Sequence, residues 1–153
     1  MRTTTTRTAS VLLGVGLATT IVATMIPFLG NPAGSVIAEH VRDGYPRYSA
    51  QAVASAVDAS LIGLGVIGAL GAVAWIVALA LTRSHRTAAR WVATAAFLVG
   101  TALAVFDLVV RDTSGDTGLP LSVGLIGLLP SVVGMIAVLA LWKHSTVRRL
   151  EAR

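Results

Sequence analysis

Four long stretches of this chain are too apolar to face water. They occupy residues 9–29, 59–81, 91–110 and 119–142, and within them the only charged residue is Asp107. Roughly 20 apolar residues, rising about 1.5 Å each, cross a hydrocarbon core of about 30 Å. Each stretch is therefore long enough to span a bilayer. In lipid, a helix satisfies its backbone hydrogen bonds within one segment. The expected fold is all-α: one membrane domain over residues 1–153, built as a four-helix transmembrane bundle. Composition agrees, with 12% charged residues against about a quarter in an average soluble domain.

Arg2 and Arg7 precede the first stretch, as basic residues precede a secretory signal. The apolar run is too long for one, however, and no small-x-small cleavage site ends it. The stretch is expected to stay as a span.

Arginine and lysine placement predicts the threading. Arg2, Arg7, Arg83, Arg86, Arg90, Lys143, Arg148, Arg149 and Arg153 lie in the two tails and the 82–90 connection, whereas only Arg42, Arg47 and Arg111 lie in the other two connections. By the positive-inside rule, both termini are expected in the cytoplasm of a cell (plasma) membrane protein. Trp91 and Trp142 then stand at cytoplasmic borders, and Tyr45 and Tyr48 at the outer one. A pI near 11.1 does not imply nucleic-acid binding, because no basic helix or aromatic-basic patch is present.

The short connections 82–90 and 111–118 make the second, third and fourth spans antiparallel neighbours in turn. The outer segment 30–58 is longer. Within it, Ser35 can cap a short extracytoplasmic helix between spans 1 and 2 that Gly44 can end. Val36, Ile37, His40 and Val41 would share its apolar side, with Glu39, Arg42 and Asp43 toward water. A further helix is expected to begin near Ser49 and run into the second span, carrying Gln51, Ser55 and Asp58 on one face.

Helices in lipid associate through close packing, which small residues permit. The second span offers Ala59/Gly63, Gly65/Ala69 and Gly68/Ala72, with Gly71 beside them. Gly14/Ala18 and Gly100/Ala104 offer similar surfaces on the first and third spans. Pro27 and Pro130 lie inside apolar stretches, where each frees the carbonyl four residues earlier and is expected to kink its helix. Thr24 or Ser131 can partly re-satisfy that backbone.

Few residues can carry chemistry. Asp107 precedes Arg111 by four, the favourable helical order for an ion pair. Alternatively it binds a cation or proton, or clasps another helix. Asp58, at the mouth of the second span, can approach it, and with Glu39 and His40 the two could form a small acidic pocket for a divalent cation. No metal-ligand spacing supports a metal site. The chain has no cysteine, which removes disulfides and thiolate chemistry. No span contains a histidine, since His40 is in the outer segment and His85 and His144 are in basic cytoplasmic segments; buried haem is not expected. G-x-S-x-G and H-E-x-x-H are both missing. No catalytic residue and no cofactor is expected. The 111–120 turn, RDTSGDTGLP, lacks the alternating ligands of a calcium loop, so Asp112 and Asp116 read as turn formers. No internal repeat supports an inverted-repeat transporter.

RDTSGDTGLP, GLIGLLPSVVGMIAVLALW and the upstream YPRYSAQAVA together resemble small four-span membrane proteins of unknown function from high-GC Gram-positive bacteria, over residues 45–142. The resemblance implies a bacterial membrane protein and transfers no site residue. Small multidrug exporters are similar in size, but they use a glutamate in the first span, where this chain has no acid. Quinone-linked disulfide-forming bundles need cysteines.

Three functions remain in view. The first is a non-enzymatic accessory or interaction subunit whose partners are the lipid bilayer and another membrane protein or a second copy. The second is a small-solute or proton-coupled carrier or channel using Asp58 and Asp107. The third is a lipid-binding or lipid-modifying protein.

Overall fold

The computed structural model describes residues 2–29, 35–84 and 88–151, with side chains described at 7–29, 35–84 and 88–143. The connections of interest at 30–34 and 85–87 lie outside the described residues, and with them His85 and Arg86. So do Arg153 and the side chains of Arg2, His144, Arg148 and Arg149.

In chain order the helices are α1 (Arg2–Met25), α2 (Val36–Gly44), α3 (Ala50–Arg83), α4 (Ala88–Val109) and α5 (Leu121–Glu151). Four of them, over Arg7–Phe28, Ala50–Arg83, Ala88–Val109 and Leu121–Lys143, are long and apolar enough to cross a membrane. Their outer faces remain greasy after packing: Ile62, Leu70, Leu98 and Leu139 are 67%, 65%, 59% and 63% exposed. A water-soluble protein does not leave such a continuous apolar surface uncovered. The chain is a multi-pass membrane protein.

Local chemistry sets the helix ends. Ser35 Oγ accepts from the Ala38 amide and Ser49 Oγ from the Ala52 amide, both at 3.2 Å, capping α2 and α3. At 34 residues, α3 extends about 51 Å and overshoots the hydrocarbon core at its start. Pro27 does not kink a continuing helix, as its position in an apolar stretch suggested. Instead α1 ends at Met25, and Pro27 sits in the 3-10 turn Ile26–Phe28, where its missing amide leaves no helical bond unmade. Pro130 does lie inside α5, which runs on past it.

The bundle is a square. α1 packs on α3 and α5, and α4 packs on the same two, leaving α1 and α4 at opposite corners. α2 lies against the start of α3. Its buried side is Ile37 and Ala38, with Val41 beside them, whereas Val36 is 55% exposed. The 100° helical step carries Val36 off the face that Ile37 and Val41 share.

The α1–α3 seam explains several of the glycines. A Cβ on Gly16 would meet the Trp75 indole at 2.5 Å, and one on Gly68 would run into Thr24. Gly71 faces Thr20 at 3.3 Å and Gly65 faces Phe28 at 3.5 Å. Gly63, by contrast, has nothing within 4 Å and is exposed. Of the four expected packing glycines of α3, Gly68 and Gly71 therefore face α1, Gly65 faces the 3-10 turn that follows it, and Gly63 faces outward.

Several hydroxyls inside the spans are absorbed locally. Thr20 donates to Gly16 O, Thr24 to Thr20 O and Thr82 to Ala78 O, at 2.8–2.9 Å. A hydroxyl bonded to its own helix is tolerable in lipid.

Candidate functional site

The square arrangement leaves a central chamber walled by all four spanning helices, with a volume of about 140 Å³. On α4 its wall runs from Ala93 through Phe97, Gly100 and Ala104 to Asp107. Those positions recur at three and four, which is one face of a helix. Fourteen residues of helix make that wall about 21 Å long, against a hydrocarbon core of about 30 Å. Small residues make the space. Gly100 and Gly127 both line it, and a Cβ on either would meet nothing within 4 Å.

Apolar clusters border each end. On the α2 side, Ile37, Ala38, Val53 and Val57 pack with Leu64 and Val123, which also line the chamber. On the side of the termini, Leu13, Ala78, Ala93 and Ala137 pack with Trp75. Gly134 lets Phe97 and Trp75 close over α5, its missing Cβ lying 3.1 Å and 3.6 Å from their rings.

Two polar groups on the wall stand out. Asp107, half-buried near the α2 end, has no hydrogen bond or ion pair with any described residue. The expected pairing with Arg111 does not form. α4 stops at Val109, and Arg111 enters an antiparallel bridge with Thr117 and donates to Gly115 O at 3.2 Å. The four-residue rule needs a continuous helix, and here the helix has ended. An acid in a membrane helix costs about 2.5–3.5 kcal/mol at mid-bilayer and less toward the border, so one without a partner among the described residues is a candidate functional position. Ser131, next to Pro130 on the chamber wall, also has no bond among the described residues and does not repair the backbone there.

The expected acidic pocket is not assembled. Asp58 and Glu39 are exposed and line no part of the chamber. His40 Nε2 sits 2.5 Å from Thr117 O. Among the described residues, no group of three histidine, aspartate or glutamate side chains could hold a metal ion. The chain matches no protein-family model, no curated protein and no solved structure.

His40 instead helps tie α2 to the 110–120 turn. Tyr45 Oη lies 2.6 Å from Thr113 Oγ1, and the Tyr45 and Tyr48 rings stack at 4.5 Å. In the same turn, Ser114 donates its amide and hydroxyl to Asp112 Oδ1 at 2.8 and 2.5 Å. The Ser114 hydroxyl bond above all holds the Asp112 carboxyl below its ordinary value, against an opposing loss of solvation, with the Ser114 amide, Tyr45 and His40 adding to the lowering.

At the opposite end, Trp142 Nε1 donates to Thr94 Oγ1 at 3.0 Å and meets Trp91 edge-on at 4.9 Å. The Arg90 guanidinium lies 5.0 Å from the Trp142 ring and 5.9 Å from Trp91. In the sequence these tryptophans stand only as two border residues. Their 51-residue separation hides that α4 and α5 bring them together.

Proposed function

We propose that this protein is a small-solute carrier of the cell membrane, threaded with both termini in the cytoplasm and α2 on the outer side, with the central chamber as its solute site. The threading rests on the nine-to-three division of lysine and arginine. The observation that carries the solute site is Asp107: a carboxyl group without a partner among the described residues, on the wall of a chamber inside the spanning bundle. Apolar clusters bordering both ends favour a carrier over an open channel. Asp58, exposed outside the chamber, has no part in this site.

The chamber can be tested by filling it. Gly100→Leu and Gly127→Leu add side chains where a Cβ meets nothing, so both variants should fold. In nanodiscs, some small amine, alcohol or acid should raise the melting temperature of the native chain and fail to do so for the filled variants. If no compound in such a screen separates them, the carrier reading is lost.

A second reading has one observation in its favour. Gly63 and Ala59 are exposed on α3, with nothing within 4 Å of the Gly63 position, and could admit a partner helix or a second copy. Because Gly68 and Gly71 already serve the α1 seam and Gly65 the turn after it, we rank the interaction-subunit role below the carrier. Crosslinking from Gly63→Cys in native membranes would raise it.

A further inference from the structure

We infer that the chamber takes a monovalent organic cation with a single-ring or short-chain apolar body, and that Asp107 is its counter-ion. The inference rests on the chamber being a solute site and names what that site selects.

Size is the first constraint. An engineered apolar cavity of about 150 Å³ accepts benzene, and the chamber holds about 140 Å³. One aromatic ring, or an alkyl chain of similar bulk, is the right scale. The wall supplies apolar contact to match: Ala104, Gly100 and Phe97 follow Asp107 along α4, and Trp75 faces them from α3. Phe97 stands ten residues from Asp107, about 15 Å along the helix axis. A ligand anchored at the carboxylate therefore has its apolar body beside small residues and its far end toward aromatic rings.

Charge is the second. Asp107 faces the chamber with neither ion pair nor hydrogen bond from any described residue. A bare metal ion is a poor match, because hard cations gather six or more oxygens. Thr20 and Thr24 donate their hydroxyl protons to their own helix, and Thr20 Oγ1 also accepts from Trp75. A substituted ammonium group asks for far fewer oxygens and carries its own apolar cover. An anion would meet an unpaired carboxylate and find no basic group on the wall. A neutral solute would leave Asp107 as it is.

The test compares two ligands of nearly one shape, benzylammonium and benzyl alcohol, by equilibrium binding to the full chain in nanodiscs, corrected for partition into empty nanodiscs. Benzylammonium should bind the native protein at least tenfold more tightly than benzyl alcohol. Asp107→Asn should remove that preference while leaving benzyl alcohol binding within about twofold. Gly100→Leu should abolish binding of both. The native comparison stands even if Asp107→Asn does not fold. Equal binding of the two ligands, lost in Gly100→Leu, overturns the counter-ion assignment and leaves the chamber as a solute site. No binding of either ligand by the native chain overturns the single-ring cation assignment, and the wider screen with the filled variants then decides the carrier reading separately.

Discussion

Trp75 donates its indole N–H to Thr20 Oγ1 at 2.9 Å, tying α3 to α1 beside the chamber. Thr20 passes its own hydroxyl proton to Gly16 O, and Gly16 lies under the same indole. One ring is thus held by a hydrogen bond and by the lack of a side chain opposite it. Hydrogen bonds between membrane helices average about 0.6 kcal/mol, with a maximum near 1.7. A double-mutant cycle with Trp75→Phe and Thr20→Val should give a coupling in that range when unfolding is followed in mixed micelles. A coupling indistinguishable from zero would show that shape, not the bond, orients the indole.

The glycines of α3 should divide sharply. Gly68→Ala drives a methyl group into Thr24, and Gly16→Ala on α1 drives one into Trp75. Overpacking of this kind costs about 1–3 kcal/mol. Gly63→Ala meets open space and should be neutral or slightly stabilising, since alanine is the better helix former by about 1 kcal/mol. Thermal stability of the three variants in one detergent decides the ranking, and a destabilised Gly63→Ala would point to an unseen helix on that face.

That division could not be read from the sequence, and the reason is physical. A helix apolar on every side carries no amphipathic signal, so its pattern cannot say which face meets a neighbour. Gly63 and Gly68 look alike in sequence, yet only Gly68 meets α1. What could be read was local or solvent-driven: the four spans, the cap at Ser35, the helix start near Ser49, and the short turns that make α3, α4 and α5 neighbours in sequence order. Asp107 was singled out, but its surroundings were not, because its assumed partner lay past a helix end. The chamber itself depends on the diagonal placement of α1 and α4, which no local pattern encodes.

Thr101 offers a stabilising change. Its Oγ1 is buried without a hydrogen-bond partner among the described residues, unlike the hydroxyls of Thr20, Thr24 and Thr82. Leaving a buried polar group unsatisfied costs about 1–3 kcal/mol. Thr101→Val keeps the branched shape and removes the hydroxyl, and should raise the unfolding midpoint by an amount equivalent to about 1 kcal/mol. A lowered midpoint would mean that the hydroxyl finds a lipid or water partner in the membrane.

The turn beside α2 should respond to acid through Asp112. Ser114 donates both its amide and its hydroxyl to that carboxylate, and the folded carboxyl accordingly holds its proton less tightly than the ordinary value of 3.8. A group whose folded pKa is depressed stabilises the folded turn above its unfolded pKa and loses that contribution as pH falls through the folded value. The window therefore opens near pH 3.8 and extends downward, leaving the turn insensitive to this group at neutral pH. Because Asp112 carries these bonds near the surface, the effect should be local: the Ser114 amide resonance should titrate with a midpoint below 3.8, and the Tyr45–Thr113 contact should loosen with it. Asp112→Asn should abolish the titration without altering the spanning helices. A Ser114 midpoint at or above 3.8 would mean that the two Ser114 bonds do not form in the membrane-embedded protein, and the polar docking of α2 on this turn would then rest on the His40 contact with Thr117 O, beside its apolar side at Ile37, Ala38 and Val41.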